Sequence, residues 1–375
     1  MPPLPEPDEA ALAHSERLQA LIRQNIADAG GWISFAEYMR MALYAPGLGY
    51  YSAGAAKFGK SGDFVTAPEI SSLFGKTLAR LAFEWLSANP DTDILELGAG
   101  TGKLAFDLLN ELEIKPRRYC ILEVSADLRK RQEERLKGFP VTWLEDLPEN
   151  FEGLILANEV LDAVPCNLVS WREEGIEERG VCIGEGKLAW QDRRLENGPL
   201  FDAARAIHVP PGYASEIHLE ARALVSRLAG ALKRGMLFFF DYGFGRSEYY
   251  HPDRFQGTLM CHYRHHAHDD PFVLPGLQDI TTHVDFSAIA EAGIDAGLQF
   301  AGYTTQASFL INCGITEILG RVSPEDVAAY LPLCSEFQKL VSPAEMGELF
   351  KIIGFRKGSE FISSCFFSGD KSRLL

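Results

Sequence analysis

The stretch Asp93-Ile-Leu-Glu-Leu-Gly-Ala-Gly-Thr-Gly-Lys-Leu-Ala-Phe-Asp-Leu-Leu109 constrains the fold more than any other part of the chain. Ile94, Leu95 and Leu97 make a short apolar run suited to a buried strand, and Leu104, Leu108, Leu109 and Leu112 recur at helical spacing. Gly98, Gly100 and Gly102 fall between them. Strand, glycine turn and helix are the parts of a nucleotide-binding βαβ unit. Glycine lets the backbone pass close to a ligand, and the free N–H groups of the helix start face it. The spacing is G-x-G-x-G, with Lys103 where a dinucleotide fingerprint places its third glycine. Glu123 ends the next apolar run, where a ribose-binding carboxylate is expected about 20 residues on.

Around this unit the chain alternates strands and helices: strand 92–97, helix 102–113, strand 118–124, helix 126–137, a short strand at 141–144 and a strand at 153–157. After an interruption come helix 216–233 and strand 236–241, and 298–303 and 361–367 are read as the last two strands. The alternation predicts an α/β fold with a Rossmann-like, doubly wound parallel sheet. Two stretches break it. Residues 166–212 read as an inserted β-meander, and 306–350 as helices punctuated by Pro324, Pro332 and Pro343. Residues 1–10, rich in proline and acid, read as a disordered tail. An amphipathic helix through Leu18, Ile22 and Ile26 then stops at Gly30-Gly31, and Ser34 with Glu37 makes a capping-box pattern. The expected division is a helical and lid segment over 1–88 followed by the cofactor-binding domain over 89–375.

A net charge of −16 argues against a nucleic-acid groove, which needs clustered Lys and Arg. It permits a basic protein partner, or it serves solubility alone. Seven scattered cysteines with no C-x-x-C, several inside apolar runs, read as reduced core thiols of a cytoplasmic protein. The acidic N-terminus has no basic residue before Arg17, so it reads neither as a secretory signal nor as an Arg-rich transit peptide. No apolar run reaches membrane-spanning length. Four histidines and a cysteine in Cys261-His-Tyr-Arg-His-His-Ala-His-Asp-Asp270 match no structural zinc spacing, and no metal is expected.

Glu-Leu-Gly-Ala-Gly-Thr-Gly102 resembles the first motif of the S-adenosylmethionine-dependent methyltransferases. Gly62-Asp-Phe-Val-Thr-Ala-Pro-Glu69, that motif, and Ala157-Asn-Glu-Val-Leu-Asp-Ala-Val-Pro165 occur in the order seen in the MidA-like methyltransferases. The likeness continues through Asp279-Ile-Thr-Thr-His-Val-Asp-Phe286 and spans nearly the whole chain. The family includes a mitochondrial arginine methyltransferase that assists assembly of respiratory complex I. The resemblance implies S-adenosyl-L-methionine as cofactor, an arginine side chain of a protein such as a complex I subunit as acceptor, and an antiparallel final strand.

The sheet rule places ligands beyond the carboxyl ends of the strands. It selects Gly98, Gly100, Gly102, Glu123, Asp146, Leu147 and Asn158 as the cofactor side, to which Glu96 and Val124 beside those strand ends are added. Glu123 would bond the ribose hydroxyls, and Asp146 and Leu147 would flank the adenine or simply make a loop. Methyl transfer needs alignment, exclusion of water and a destination for the released proton. Glu159 and Asp162, with Asn158, are the catalytic candidates: carboxylates orient a guanidinium and receive its proton. Three positions apart, they share a face if a helical turn forms there; otherwise Asp162 caps a helix start. Many family members carry His where this chain has Asn158. Gly62, Asp63, Phe64, Thr66 and Glu69, with Asp241 and Tyr242, are assigned to a lid or substrate channel, although Asp63 also suits a plain turn and Pro68-Glu69 a helix start. Three other readings stay open: a non-catalytic assembly factor that retains the cofactor fold, an NAD-dependent oxidoreductase disfavoured by the glycine spacing, and a small-molecule methyltransferase.

Overall fold

The computed structural model describes residues 4–53 and 66–375. The chain forms two compact units. One comprises Val65–Leu161, Leu224–Gly245 and Phe286–Leu375; the other comprises Met1–Phe64, Asp162–Ala223 and Arg246–Asp285. The division differs from the one drawn from the sequence at residue 88. Helix Ser72–Ala88 belongs with the sheet, and three separated pieces of chain build the other unit.

The first unit is built on strands β1 (Asp93–Leu97), β2 (Tyr119–Leu122), β3 (Val141–Leu144), β4 (Phe151–Asn158), β5 (Leu232–Phe244), β6 (Gln299–Thr305) and β7 (Phe350–Lys357). They run in the order β3-β2-β1-β4-β5-β7-β6. The pairs among β1 to β5 are parallel, and β7 is antiparallel to both neighbours. β1 and β4 are adjacent and chain order reverses between them, the position at whose carboxyl ends open α/β sheets bind their ligands. Parallel strands covered by helices on both faces carry unbroken apolar runs. Phe238, Phe239 and Phe240 of β5 are accordingly all fully buried. Leu104 and Leu108 of helix Lys103–Glu111 pack with Ile94, Leu154 and Leu156 in the same core. Burying each such side chain contributes about 1.5–3 kcal/mol.

The last strand lies at Phe350–Lys357, not at 361–367. Ile352, Ile353 and Phe355 are fully buried, whereas Ile362 and Phe367 are 71% and 74% exposed. Ser363 caps a short turn, Ser364–Phe366, and Cys365 is joined to Cys313 by a disulfide. That bond also corrects the reading of all seven cysteines as reduced. Proline-marked helices fill 306–350 as expected, with Pro332 inside helix Val327–Val341.

In the other unit the meander reading holds. Strands Asn167–Arg172, Gly175–Gly184 and Lys187–Arg194 pair antiparallel, joined by Trp32–Ser34 and Tyr213–Ile217. The first helix starts at Glu9 with Asp8 as its cap, earlier than the proline-rich composition indicated. Ser34 caps helix Phe35–Tyr44 by accepting from the Glu37 amide, but the Glu37 carboxylate turns to Arg40 instead of closing the box. No helix among the described residues is long and apolar enough to cross a membrane.

Candidate active site

The turn after β1 takes its shape from glycine. Gly98, Gly100 and Gly102 have φ of 60°, 53° and 79°, a left-handed backbone that costs other residues roughly 1–2 kcal/mol each. A Cβ on Gly100 would meet no heavy atom within 4 Å, so the turn borders open space there. Gly102 begins helix Lys103–Glu111 without a capping side chain, which leaves the first helical N–H groups available to an anion or ligand oxygen. The Thr101 hydroxyl donates to the Glu69 carboxylate, and Arg135 approaches the same oxygen at 3.4 Å. Glu69 thus lies against the glycine turn from the short helix Ala67–Ile70, while Thr66 caps that helix through its backbone alone. Gly62, Asp63 and Phe64 lie outside the described residues.

Glu123 follows β2. Its Oε1 accepts from the Ser125 amide and its Oε2 from the Gln132 side chain, each at 2.9 Å. Burial raises its pKa, and the Ser125, Gln132 and Val124 donors oppose the rise. Val124 beside it is 76% exposed, an apolar side chain left uncovered at a strand end. Asp146, exposed, and Leu147, half-buried, lie in the bend after β3. Glu96 is placed one layer deeper: it is buried within β1 and accepts from the Tyr119 hydroxyl at 2.6 Å. Burial pushes its pKa up to about 7; the Tyr119 bond opposes this and the charge of Glu123 adds to it.

Asn158 ends β4, whose residue Ala157 pairs with Leu97 of β1, so Gly98 and Asn158 leave adjacent strands side by side. A Cβ on Gly98 would lie 3.4 Å from Val160. Asn158 Nδ2 donates to Glu159 Oε1 at 3.1 Å, and the Ala67 amide reaches the same oxygen at 3.3 Å. A carboxylate only accepts, so the amide nitrogen must face it. Asn158 Oδ1 is then the atom left over, and it is buried without a partner among the described residues. Glu159 itself has φ of 52°, rare for a non-glycine residue. Its amide donates to Phe240 O at 2.8 Å. The buried Asp241 carboxylate accepts from the Val160, Leu161 and Tyr242 amides at 3.2, 2.9 and 3.0 Å. Asp241 therefore shapes the turn that carries Glu159. Tyr242 packs its ring edge-on against Phe350.

No helical turn forms at 159–162, where the backbone bends instead. Asp162 falls in the other unit, where it is buried and its carbonyl accepts from the Thr282 amide. Nearby in that unit Tyr51 donates to Asp279 at 2.9 Å, and burial with the charges of Asp279 and Asp162 raises the Tyr51 pKa. Among the described residues no group of three or more His, Cys, Asp or Glu is arranged to hold a metal ion.

The residues fit a nucleoside-bearing sulfonium. The glycine turn gives close approach, Glu123 offers an acceptor to a ribose hydroxyl, Val124 presents an apolar surface, and Asn158, on the strand beside the turn, keeps an unpartnered acceptor oxygen among the described residues. Sequence reasoning missed Gln132 and the part played by Asp241. A signal for Gln132 exists: Leu128, Gln132 and Leu136 recur every four residues, which places an amide on the buried face of helix Ala126–Arg135.

Residues 77–304 match a family model described as "Putative S-adenosyl-L-methionine-dependent methyltransferase". The protein arginine methyltransferase NDUFAF7 of Danio rerio is 31% identical, over 86% of this chain and 83% of the relative. Its homologue in Drosophila melanogaster is 29% identical, over 95% and 89%. A crystal structure from Burkholderia thailandensis, bound to S-adenosyl-homocysteine, is 49% identical over the full length of both chains, with a TM-score of 0.96.

Proposed function

The chain belongs to the family of S-adenosyl-L-methionine-dependent methyltransferases, and from that premise we propose that it methylates an arginine side chain of a client protein. The relatives named as protein arginine methyltransferases support the acceptor class. The observation that carries the reading is the acceptor pair at the end of β4: the Glu159 carboxylate and the unpartnered Oδ1 of Asn158, beside the glycine turn.

A guanidinium has donors only, so two adjacent acceptors suit it, and its pKa above about 12 demands a carboxylate nearby. S-Adenosylmethionine, when bound, supplies an electrophilic methyl group. Glu159 accepts a guanidinium N–H, orients the reacting nitrogen toward the turn at Gly98, and takes up the proton released on its carboxylate oxygen. Asn158 Oδ1 accepts a second N–H and fixes the plane of the group. Asp241 holds the backbone from which Glu159 projects.

The client proposed is a respiratory complex I subunit, as the MidA-like resemblance implies, and the cytoplasmic setting belongs to the same proposal; cell fractionation checks it. Incubation with methyl-labelled S-adenosylmethionine and complex I subunits, followed by acid hydrolysis, tests the acceptor. Labelled methylarginine, lost in Glu159→Gln, is the expected result. Label in lysine or in a small molecule overturns the arginine assignment, and cofactor binding without transfer to any client leaves a scaffold.

A further inference from the structure

We propose that Gln132 is the positioning residue that sets the protein's affinity for the cofactor ribose, by tying the turns after β1 and β2 to strand β3 and holding Glu123 as an oriented acceptor. Gln132 is fully buried on helix Ala126–Arg135. Its Oε1 accepts from the Trp143 indole of β3 at 2.9 Å. Its Nε2 donates to Gly100 O, in the turn after β1, and to Glu123 Oε2, after β2, both at 2.9 Å.

The orientation of the amide is determined by chemistry. An indole N–H only donates, whereas a carbonyl and a carboxylate only accept, so Oε1 must face Trp143 and the NH2 must face the other two. Every polar atom of the side chain is thereby used. The packing is equally committed: a Cβ on Gly102 would sit 3.3 Å from Gln132 Cγ, so glycine there makes room for the amide as well as for the turn.

The consequence falls on Glu123. A carboxylate has about four lone-pair directions, so the Ser125, Gln132 and Val124 donors still leave one for a ribose hydroxyl. Burial works against the charged form. Glu96, itself held by Tyr119, adds a second carboxyl close enough for the two to interact. Gln132 supplies a donor that counters the effect of burial and stops the carboxylate from rotating. Loss of that donor raises the Glu123 pKa, so cofactor binding weakens and begins to fail at a higher pH.

The test is calorimetric titration of the full chain with S-adenosylhomocysteine between roughly pH 5 and pH 8. It involves no methyl acceptor, so its outcome is independent of the arginine proposal. Gln132→Met, which keeps volume and removes the donors, is expected to weaken binding about tenfold to a hundredfold at neutral pH. The pH below which affinity falls should move upward. Trp143→Phe, which frees the amide from one side only, should move both readings the same way by a smaller amount, and it carries the test if Gln132→Met does not fold. Affinity within about twofold of the parent across the pH range overturns the proposal. So does a uniform loss with an unmoved acid limb, which marks a packing role alone.

Discussion

Two turns at neighbouring strand ends reach a left-handed backbone by different means. After β1 the positive φ values fall on Gly98, Gly100 and Gly102, where they carry little steric cost. After β4 the positive φ falls on Glu159, and the geometry is imposed from outside by Phe240 O and the Asp241 carboxylate. The first turn needs backbone in close approach and no side chain. The second needs a particular carboxylate at a particular place, so it accepts strain and holds it with charge-assisted hydrogen bonds. Permissive residues serve where the ligand touches backbone; imposed geometry serves where a side chain must act.

This contrast can be broken in stages. The largest effect is expected from Glu159→Gln, which keeps the turn and removes the proton acceptor. Methyl transfer should fall by about 10²–10⁴-fold while S-adenosylhomocysteine still binds, as steady-state kinetics paired with calorimetry will read. Gly100→Val attacks the permissive turn. Strain of about 1–3 kcal/mol should weaken cofactor binding roughly fivefold to a hundredfold, and Glu123→Ala should weaken it as well, the two effects coupled through Gln132. Asp241→Asn sets an amide group against amide donors and removes the charge that holds the imposed turn. Loss of hydrogen bonds to a charged group should cost about 1.5–3 kcal/mol in denaturant unfolding, with a fall in transfer rate.

The smallest effect sharpens the comparison most. Glu159→Gly relieves the left-handed strain and should raise stability by about 1 kcal/mol, although transfer is lost with the carboxylate. A gain in midpoint temperature together with loss of activity would show that the second turn trades stability for placement. A loss of stability would mean that the Glu159 side chain itself anchors the turn, as its bonds to Asn158 and the Ala67 amide allow.

Much of the sheet unit was legible in advance. The glycine spacing, the apolar runs of β1 to β5 and Glu123 at the end of β2 follow from properties that a local window contains. The final strand was misplaced because 350–357 directly follows a proline-marked helical region, while 361–367 has a strand-like composition but ends in a capped turn. Asp162 looked like a partner of Glu159 because three positions suit a helical face. The backbone bends there instead, and the two residues fall in different units.

The sequence alone determined the kind of fold, the cofactor turn and the family, because glycine's freedom at positive φ and the alternation of apolar periods are written residue by residue. Only the tertiary structure decided that Gln132 bonds Glu123, Gly100 and Trp143, that Asp241 shapes the turn of Glu159, and that Cys313 meets Cys365. These are contacts between residues up to 81 positions apart, such as Asp241 and Val160. Such pairings depend on which strand ends the folded sheet places together, and no local period of the chain records that.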